Sequence, residues 1–318
     1  MNIYIVADIE GVAGVVFYEH LHANMSMLNY ELIHRNRVLL TEEVNAAGRG
    51  AFDAGAGLVV VHDHHGEGYT IIPELLDERV ELIHGRSGFT LNLPTRHPDL
   101  DKSFQALVLV GMHARAGTPD GGTPHSLICV STTAGKTYEL SEATMSMAIA
   151  GDVGVPCAFV SGDQALVQEA RQYNPDMESV VTKKHYASQL ARTKSPLLAR
   201  KLIGAAVQKG LANLSKMSPF KIQGPCSVRV ADRNPAARWP EKPNVKPTFT
   251  EALQDTLRNV PWYKPVEMID DGWRWPDRTQ PTATPGDKWN LWKLVPQPSE
   301  TTKKNKNLTT DGTDITDI

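Results

Sequence analysis

The chain has 318 residues, enough to bury a substantial core as one large domain or two smaller ones. Its net charge of −3 and pI near 6.4 offer nothing to attract nucleic acid or an anionic membrane surface. No apolar run approaches the roughly 18 residues a membrane-spanning helix needs. Acids arrive by position 8, where a signal peptide would be basic and then apolar, and three scattered cysteines without a C-x-x-C suit a reducing compartment. The expectation is a soluble, cytoplasmic protein.

Residues 3–7 (IYIVA) are β-branched and aromatic and predict a buried strand. It runs into Asp8-Ile9-Glu10-Gly11, an unusual ending, because an uncompensated buried carboxylate needs a cationic partner or a metal. Two apart in an extended chain, Asp8 and Glu10 point to the same side. An amphipathic helix is predicted over 29–54, ended by Gly55 and Gly57, followed by a second buried strand, Leu58-Val59-Val60-Val61. Strand, helix, strand is a βαβ unit, so the two strands are expected to be parallel neighbours. The second strand leads into His62-Asp63-His64-His65-Gly66, which this pairing brings beside Asp8 and Glu10.

A short helix is expected over 71–77, a strand over 80–83 and a loop over 85–101. Residues 104–112 (FQALVLVGM) read as another buried strand, again closed by a histidine, His113. The Pro/Gly-rich segment 118–124 predicts a sharply turning loop before His125 and a strand near 126–133. Ser141 is a candidate N-cap for a helix over 142–151 with Ala143, Met147 and Ala150 facing inward. Further strands are expected at 156–160 and 179–183, and helices at 163–172, 195–215 and 248–259. Past residue 216 the chain becomes Pro-rich; residues 261–298 read as an extended Pro/Trp-rich tail and 299–318 as disordered. The division expected is an α/β domain over 1–260 followed by this tail.

Asp8, Glu10, the histidines of the second strand end, His113, His125 and Glu142 form the candidate constellation. Carboxylate oxygens and imidazole nitrogens are a ligand set for Zn²⁺, with Mn²⁺ or Fe²⁺ as alternatives. A carboxylate bridging two ions would let the site activate water and stabilise an oxyanion together. Glu142 by itself reads as a helix-start acid opposing the helix dipole. No H-E-x-x-H, G-x-G-x-x-G or G-x-S-x-G occurs. Gly135-Lys136-Thr137 resembles a P-loop ending, but Val130 stands where that motif needs glycine.

Asp63-His64-His65 after an early Asp-x-acid motif resembles the DHH phosphoesterases, which are metal-dependent. Glu10 stands where that family has Asp, and the glycine-rich histidine motif of its second domain is absent. Residues 1–215 resemble the M55 family of D-aminopeptidases more closely, in ordered blocks. These are Ala7-Asp8-Ile9-Glu10-Gly11, Asn29-Tyr30-Glu31, Thr41-Glu42-Glu43-Val44-Asn45, the Asp63 to His65 turn, Gly111-Met112-His113-Ala114-Arg115-Ala116, Pro124-His125-Ser126 and Glu142. Gly154-Val155-Pro156 and Val160-Ser161-Gly162-Asp163 extend the match.

The M55 resemblance implies a three-layer α/β/α sandwich on a mainly parallel or mixed sheet, assembled as a homo-oligomeric, decameric ring. It implies two zinc ions per chain, with Asp8 bridging, Glu10 and His65 completing one site and His113 and Glu142 the other. His125 would be the catalytic histidine outside the metal shell, and His62 and His64 would be supporting or surface residues. The implied reaction is hydrolysis of short peptides, with N-terminal D-amino acids, by a metal-activated water. A non-peptide amide or a phosphodiester is the alternative substrate, and neither nucleic acid nor membrane is an expected partner. All six tryptophans lie after residue 238, a departure from the family pattern. Their expected place is against the chain's own surface, or at a neighbouring subunit or chamber mouth.

Overall fold

The computed structural model describes residues 1–16, 27–66, 68–85, 95–187, 190–231, 242–258, 267–269 and 272–274. The chain divides into two compact units, Met1–Pro265 and Val266–Ile318.

Unit 1 is built on a seven-stranded sheet. Its first part alternates strand and helix: β1 (Asn2–Ala7), α1 (Met27–Asp53), β2 (Leu58–Asp63), β3 (Val80–Ile83) and β4 (Ala106–Met112). A strand pair follows, β5 (Leu127–Thr132) and β6 (Thr137–Leu140), then α2 (Glu142–Asp152), β7 (Cys157–Asp163), α3 (Gln164–Tyr173), β8 (Glu178–Ala187), β9 (Leu190–Thr193) and α4 (Pro196–Ala212). The unit finishes with β10 (Cys226–Ala231) and α5 (Phe249–Arg258). The large sheet runs β3-β2-β1-β4-β7-β8-β9, parallel throughout except for the antiparallel edge pair β8/β9.

Strands β1, β4 and β7 are buried almost residue for residue rather than alternately, because helices cover both faces. Helix α1 packs on β1, β2 and β4 and against α4; α2 and α3 pack against each other and on β4, β7 and β8. The result is the mainly parallel three-layer architecture expected from the sequence. A small antiparallel sheet, β10-β5-β6, stands beside it with α5 packed on β10. In unit 2, β11 (Glu267–Ile269) and β12 (Gly272–Arg274) form a hairpin with Met268 opposite Trp273. The other five tryptophans, and the 299–318 segment expected to be disordered, lie outside the described residues.

Most predicted elements recur with ends displaced by a few residues. The 71–77 helix is reduced to a single 3-10 turn at Pro73–Leu75, and strands β6, β9 and β10 and the β11/β12 pair within the expected extended tail had no counterpart in the pattern reading. β6 and β9 are four-residue pieces that pair with the strand just before them, and β10, with Cys226 and Val228 buried, pairs with β5 far earlier in the chain. Among the described residues no helix is long and apolar enough to cross a membrane.

Sequential progression reverses at the β1/β4 boundary, since β2 and β3 extend the sheet one way and β7 and β8 the other. At such a switch point the loops leaving neighbouring strands diverge and open a crevice at the carboxyl ends. Backbone contacts close the seam beneath it: Asp8 N donates to Val110 O at 2.9 Å and Gly11 N to Gly111 O at 2.7 Å. Two glycines make that approach possible. A Cβ on Gly11 would stand 1.9 Å from Met112 O, and one on Gly111, at φ +71°, 2.1 Å from Asp8 O. The register between β4 and β7 slips across Leu109–Met112, which includes Gly111, and the chain turns there to deliver His113 over the end of β1.

Gly111→Ala therefore meets both backbone strain and collision and is expected to lower unfolding free energy by roughly 2–5 kcal/mol in urea titration. Gly55 has an equally left-handed backbone, φ +89°, but open space around it. Gly55→Ala should lose only the conformational part, about 1–2 kcal/mol; equal losses at the two positions would refute the close-approach account.

Candidate active site

Four strand or helix ends supply the crevice. Asp8 and Glu10 follow β1, His64 and His65 follow β2, His113 follows β4, and Glu142 is the first residue of α2. His125 arrives on the loop before β5. All six residues singled out for metal or catalysis converge here. The convergence of Asp8 and Glu10 has a different cause from strand alternation: β1 ends at Ala7 and the chain turns, with Val12 N bonded to Ile9 O at 3.1 Å. It is this turn that aims both carboxylates at one point.

His65 Nδ1 lies 3.0 Å from Asp8 Oδ1 and 3.1 Å from Glu10 Oε2. His113 Nε2 is 3.5 Å from Asp8 Oδ2 and 3.9 Å from Glu142 Oε1. His125 Nε2 is 3.9 Å from both Glu10 Oε1 and Glu142 Oε1, and its ring stacks on that of His113 at 4.3 Å. Two carbonyls fix the outer edges of the stacked rings: His113 Nδ1 donates to Ala114 O and His125 Nδ1 to Thr123 O, each at 2.8 Å. Each neutral ring is thereby left with a bare Nε2 facing the carboxylates, the orientation a ligand or a proton acceptor requires.

The site is rich in buried negative charge. Burial and the neighbouring Glu10 raise the Asp8 carboxyl above its ordinary range. Burial acts on Glu10 the same way but is outweighed by the facing His65, which holds that carboxyl well below its usual value. Burial opposes charge on His113 too, yet Glu10, Asp8 and Glu142 together lift it to about 9. The cluster thus draws a cation to itself.

Asp8 Oδ2, Glu10 Oε1 and His113 Nε2 are buried and have no hydrogen-bond partner among the described residues. Ligand atoms of Asp8, Glu10 and His65 fall within 4.8 Å of one another, as do those of Asp8, His113 and Glu142, and those of Glu10, His113 and His125. Buried oxygen and nitrogen donors left unsatisfied around shared points fit a divalent metal of the zinc kind. Asp8, Glu10 and His113 each belong to two of the three groups.

Several supporting residues escaped the sequence reading. Lys183, 1% exposed inside β8, donates its ammonium to the carbonyls of Glu10, Val12 and Val15 and so holds the acid-bearing turn from beneath. Burial lowers it to about 8 against the pull of Asp163, Glu43 and Glu10. The Lys183-Lys184 doublet was the available signal, since adjacent strand residues cannot both face solvent. Ser126 donates its hydroxyl to Glu142 Oε1 at 2.5 Å. His62 and His64 are not surface residues: they are 3% and 4% exposed, and His64 Nδ1 lies 3.2 Å from Glu142 Oε2. Asp63 turns away, its carboxylate accepting from Thr70 N at 2.7 Å, Ile71 N at 2.8 Å and the Thr70 hydroxyl. The first residue of the DHH-like triplet is thus turned away from the carboxylates of the crevice.

Glu43, 1% exposed, accepts from Ala13 N at 2.9 Å, and burial raises its carboxyl to about 7. The folded chain then binds a proton there more tightly than the unfolded one. This contribution weakens folding as pH rises from about 4.5 to about 7. Glu43→Gln keeps an acceptor for Ala13 and removes the titration. Urea unfolding at pH 5 and pH 8 should show the variant gaining on the wild type at pH 8; a gap that stays constant would contradict the assignment.

Against known sequences, the profile of the M55 peptidase family, described as D-aminopeptidase, matches residues 1–250. The D-aminopeptidase of Bacillus subtilis (strain 168) is 28% identical over 221 residues, 69% of this chain and 77% of that protein. Among solved structures, the Zn-dependent D-aminopeptidase DppA from Bacillus subtilis, described as a self-compartmentalizing protease, superposes with a TM-score of 0.63. The identity is 26%, over 74% of this chain and 82% of that one.

Proposed function

The chain belongs to the M55 D-aminopeptidase family and is a peptide-bond hydrolase, and we propose that it acts as a dinuclear zinc aminopeptidase on short peptides with N-terminal D-residues. The observation that carries this reading is a pair of converging groups, Asp8/Glu10/His65 and Asp8/His113/Glu142, that share Asp8 and together contain all five expected ligands. In this reading Asp8, Glu10 and His65 would hold one ion, and Asp8, His113 and Glu142 the other. Zinc, when bound, supplies Lewis acidity that polarises the scissile carbonyl and makes water nucleophilic near neutral pH.

The chain's own groups do the rest. His125, held by Thr123 O at Nδ1, presents Nε2 to take a proton from the attacking water and return it to the departing amine. By the family resemblance the substrate's free amine end would lie beside the metal-binding residues, as an exopeptidase requires. Preference for a D-residue rests on the family and on the Bacillus subtilis D-aminopeptidase. The self-compartmentalizing description of DppA supports a closed homo-oligomer for this chain too, a decameric ring by family resemblance, selecting short peptides by chamber size. Residues 1–260 form the catalytic domain in this reading, and the segment after it is an accessory tail.

A hydrolysis panel tests the class: D-alanyl and L-alanyl peptides and an aryl phosphodiester, each with and without chelator. Chelator-sensitive cleavage of the D-alanyl peptide is expected; phosphodiester cleavage alone would overturn the proposal. His125→Ala should lower kcat by roughly 10²–10⁴-fold while bound zinc, measured by atomic absorption, stays at the wild-type level. Loss of one ion would instead make His125 a ligand, through the group it forms with Glu10 and His113.

A further inference from the structure

Behind Glu142 stands a wall of three histidines that the proposed reaction does not use. His62, His64 and His97 are buried, with ring centroids 5.4–5.6 Å apart. His97 Nε2 lies 2.8 Å from Ser146 Oγ, Ser146 Oγ lies 2.7 Å from the Glu142 carbonyl, and His62 Nδ1 lies 3.2 Å from His97 Nδ1.

Counting donors fixes the hydrogens along this chain. A carbonyl can only accept, so the single hydroxyl hydrogen of Ser146 goes to Glu142 O. The Ser146 oxygen then accepts from His97, whose proton therefore sits on Nε2. Burial keeps the His97 ring neutral, leaving Nδ1 as an acceptor, and the His62 Nδ1–H must supply it. The two rings and the serine form one directed path that ends on the backbone of Glu142.

His64 meets the other end of the same residue. Its ring stands edge-on to that of His62 at 89°, its side chain is 1% exposed, and its Nδ1 is 3.2 Å from Glu142 Oε2. Neither of its nitrogens makes an aligned hydrogen bond among the described residues, and the Oε2 approach is a close polar contact. Glu142 is thus met at three points: its carbonyl and Oε1 by hydrogen bonds from Ser146 and Ser126, and Oε2 by the close approach of His64. With Oε2 occupied in this way, Oε1 is the oxygen turned toward His113 and His125.

We infer that His64 is a positioning residue for Glu142: its Nδ1–H fixes the rotation of that carboxylate and so completes the half-site formed with Asp8 and His113. The inference rests on the reading of Glu142 as a metal ligand. The His62–His97–Ser146 path is the fixed surface against which His64 is set.

The donor atom, rather than the bulk of the ring, is what the test isolates. The amide nitrogen of Asn reproduces Nδ1 of a histidine, that of Gln reproduces Nε2, and Leu supplies volume alone. Zinc titration of His64→Asn, His64→Gln, His64→Leu and Glu142→Ala against a chromophoric chelator measures the affinity of each ion, with chelated-protein Tm recorded in parallel. His64→Leu and His64→Gln are expected to weaken one of the ions roughly 10–100-fold, and His64→Asn to stay within about threefold of wild type, whatever the Tm changes. If Leu does not fold, the Asn and Gln pair carries the comparison. Equal zinc affinity for Asn and Gln would overturn the inference alone, provided Glu142→Ala still loses an ion. If Glu142→Ala keeps both ions at wild-type affinity, the ligand assignment itself fails and this inference falls with it.

Discussion

The seam between β1 and β4 sets the rest of the molecule. Two backbone hydrogen bonds, Asp8 N to Val110 O and Gly11 N to Gly111 O, press the ends of the strands together where the sheet reverses its progression. The contact is closer than any side chain would permit, which is why glycine occupies both sides of it. Its consequence is chemical. Asp8 and Glu10 leave one strand and His113 the other, so a joint without side chains becomes the floor of a site dense with them.

Such a density of buried acid has to be stabilised from outside the crevice. Lys183 answers part of this from below, with its ammonium on three carbonyls of the turn that carries Glu10. The imidazoles answer part from above. His65 sits across both carboxylates of the turn, and His113 is driven toward its protonated form by the three acids around it. A proton on His113 and a divalent cation among the same atoms meet the same electrostatic demand, and the buried oxygen and nitrogen atoms left without partners are the geometric counterpart of that demand.

The outer contacts sort the histidines by role. Those whose Nδ1 is held by a carbonyl, His113 and His125, present Nε2 to the centre; those that bond to one another, His62 and His97, are turned away from it. Fold alone would not distinguish them, since doubly wound sheets host many chemistries at their switch points. Membership of the M55 family, established over residues 1–250, gives the chemistry of peptide-bond hydrolysis. The hydrogen-bond geometry assigns work to individual side chains within it.

The sequence by itself determined the parallel core and the place of the site. Continuous apolar runs at β1, β2 and β4 encode strands covered on both faces, and an acid or histidine directly after each run marks the carboxyl edge, because polar residues of that kind are not tolerated within the runs themselves. Asp8, His113 and the histidines after β2 were legible for this reason, whereas the choice of His65, the role of His125 and the ligand role of Glu142 came from the M55 resemblance. What only the tertiary structure decided was which histidine faces which atom. His62, His64 and His65 are indistinguishable as a string, yet one joins His97 from a loop 35 residues away, one reaches Glu142 on α2, and one spans Asp8 and Glu10. Lys183 was hidden likewise, its partners lying more than 160 residues earlier in the chain. Local pattern reports burial and chain direction; the partner of a buried polar atom is set by packing between distant segments, and a linear periodicity carries no record of it.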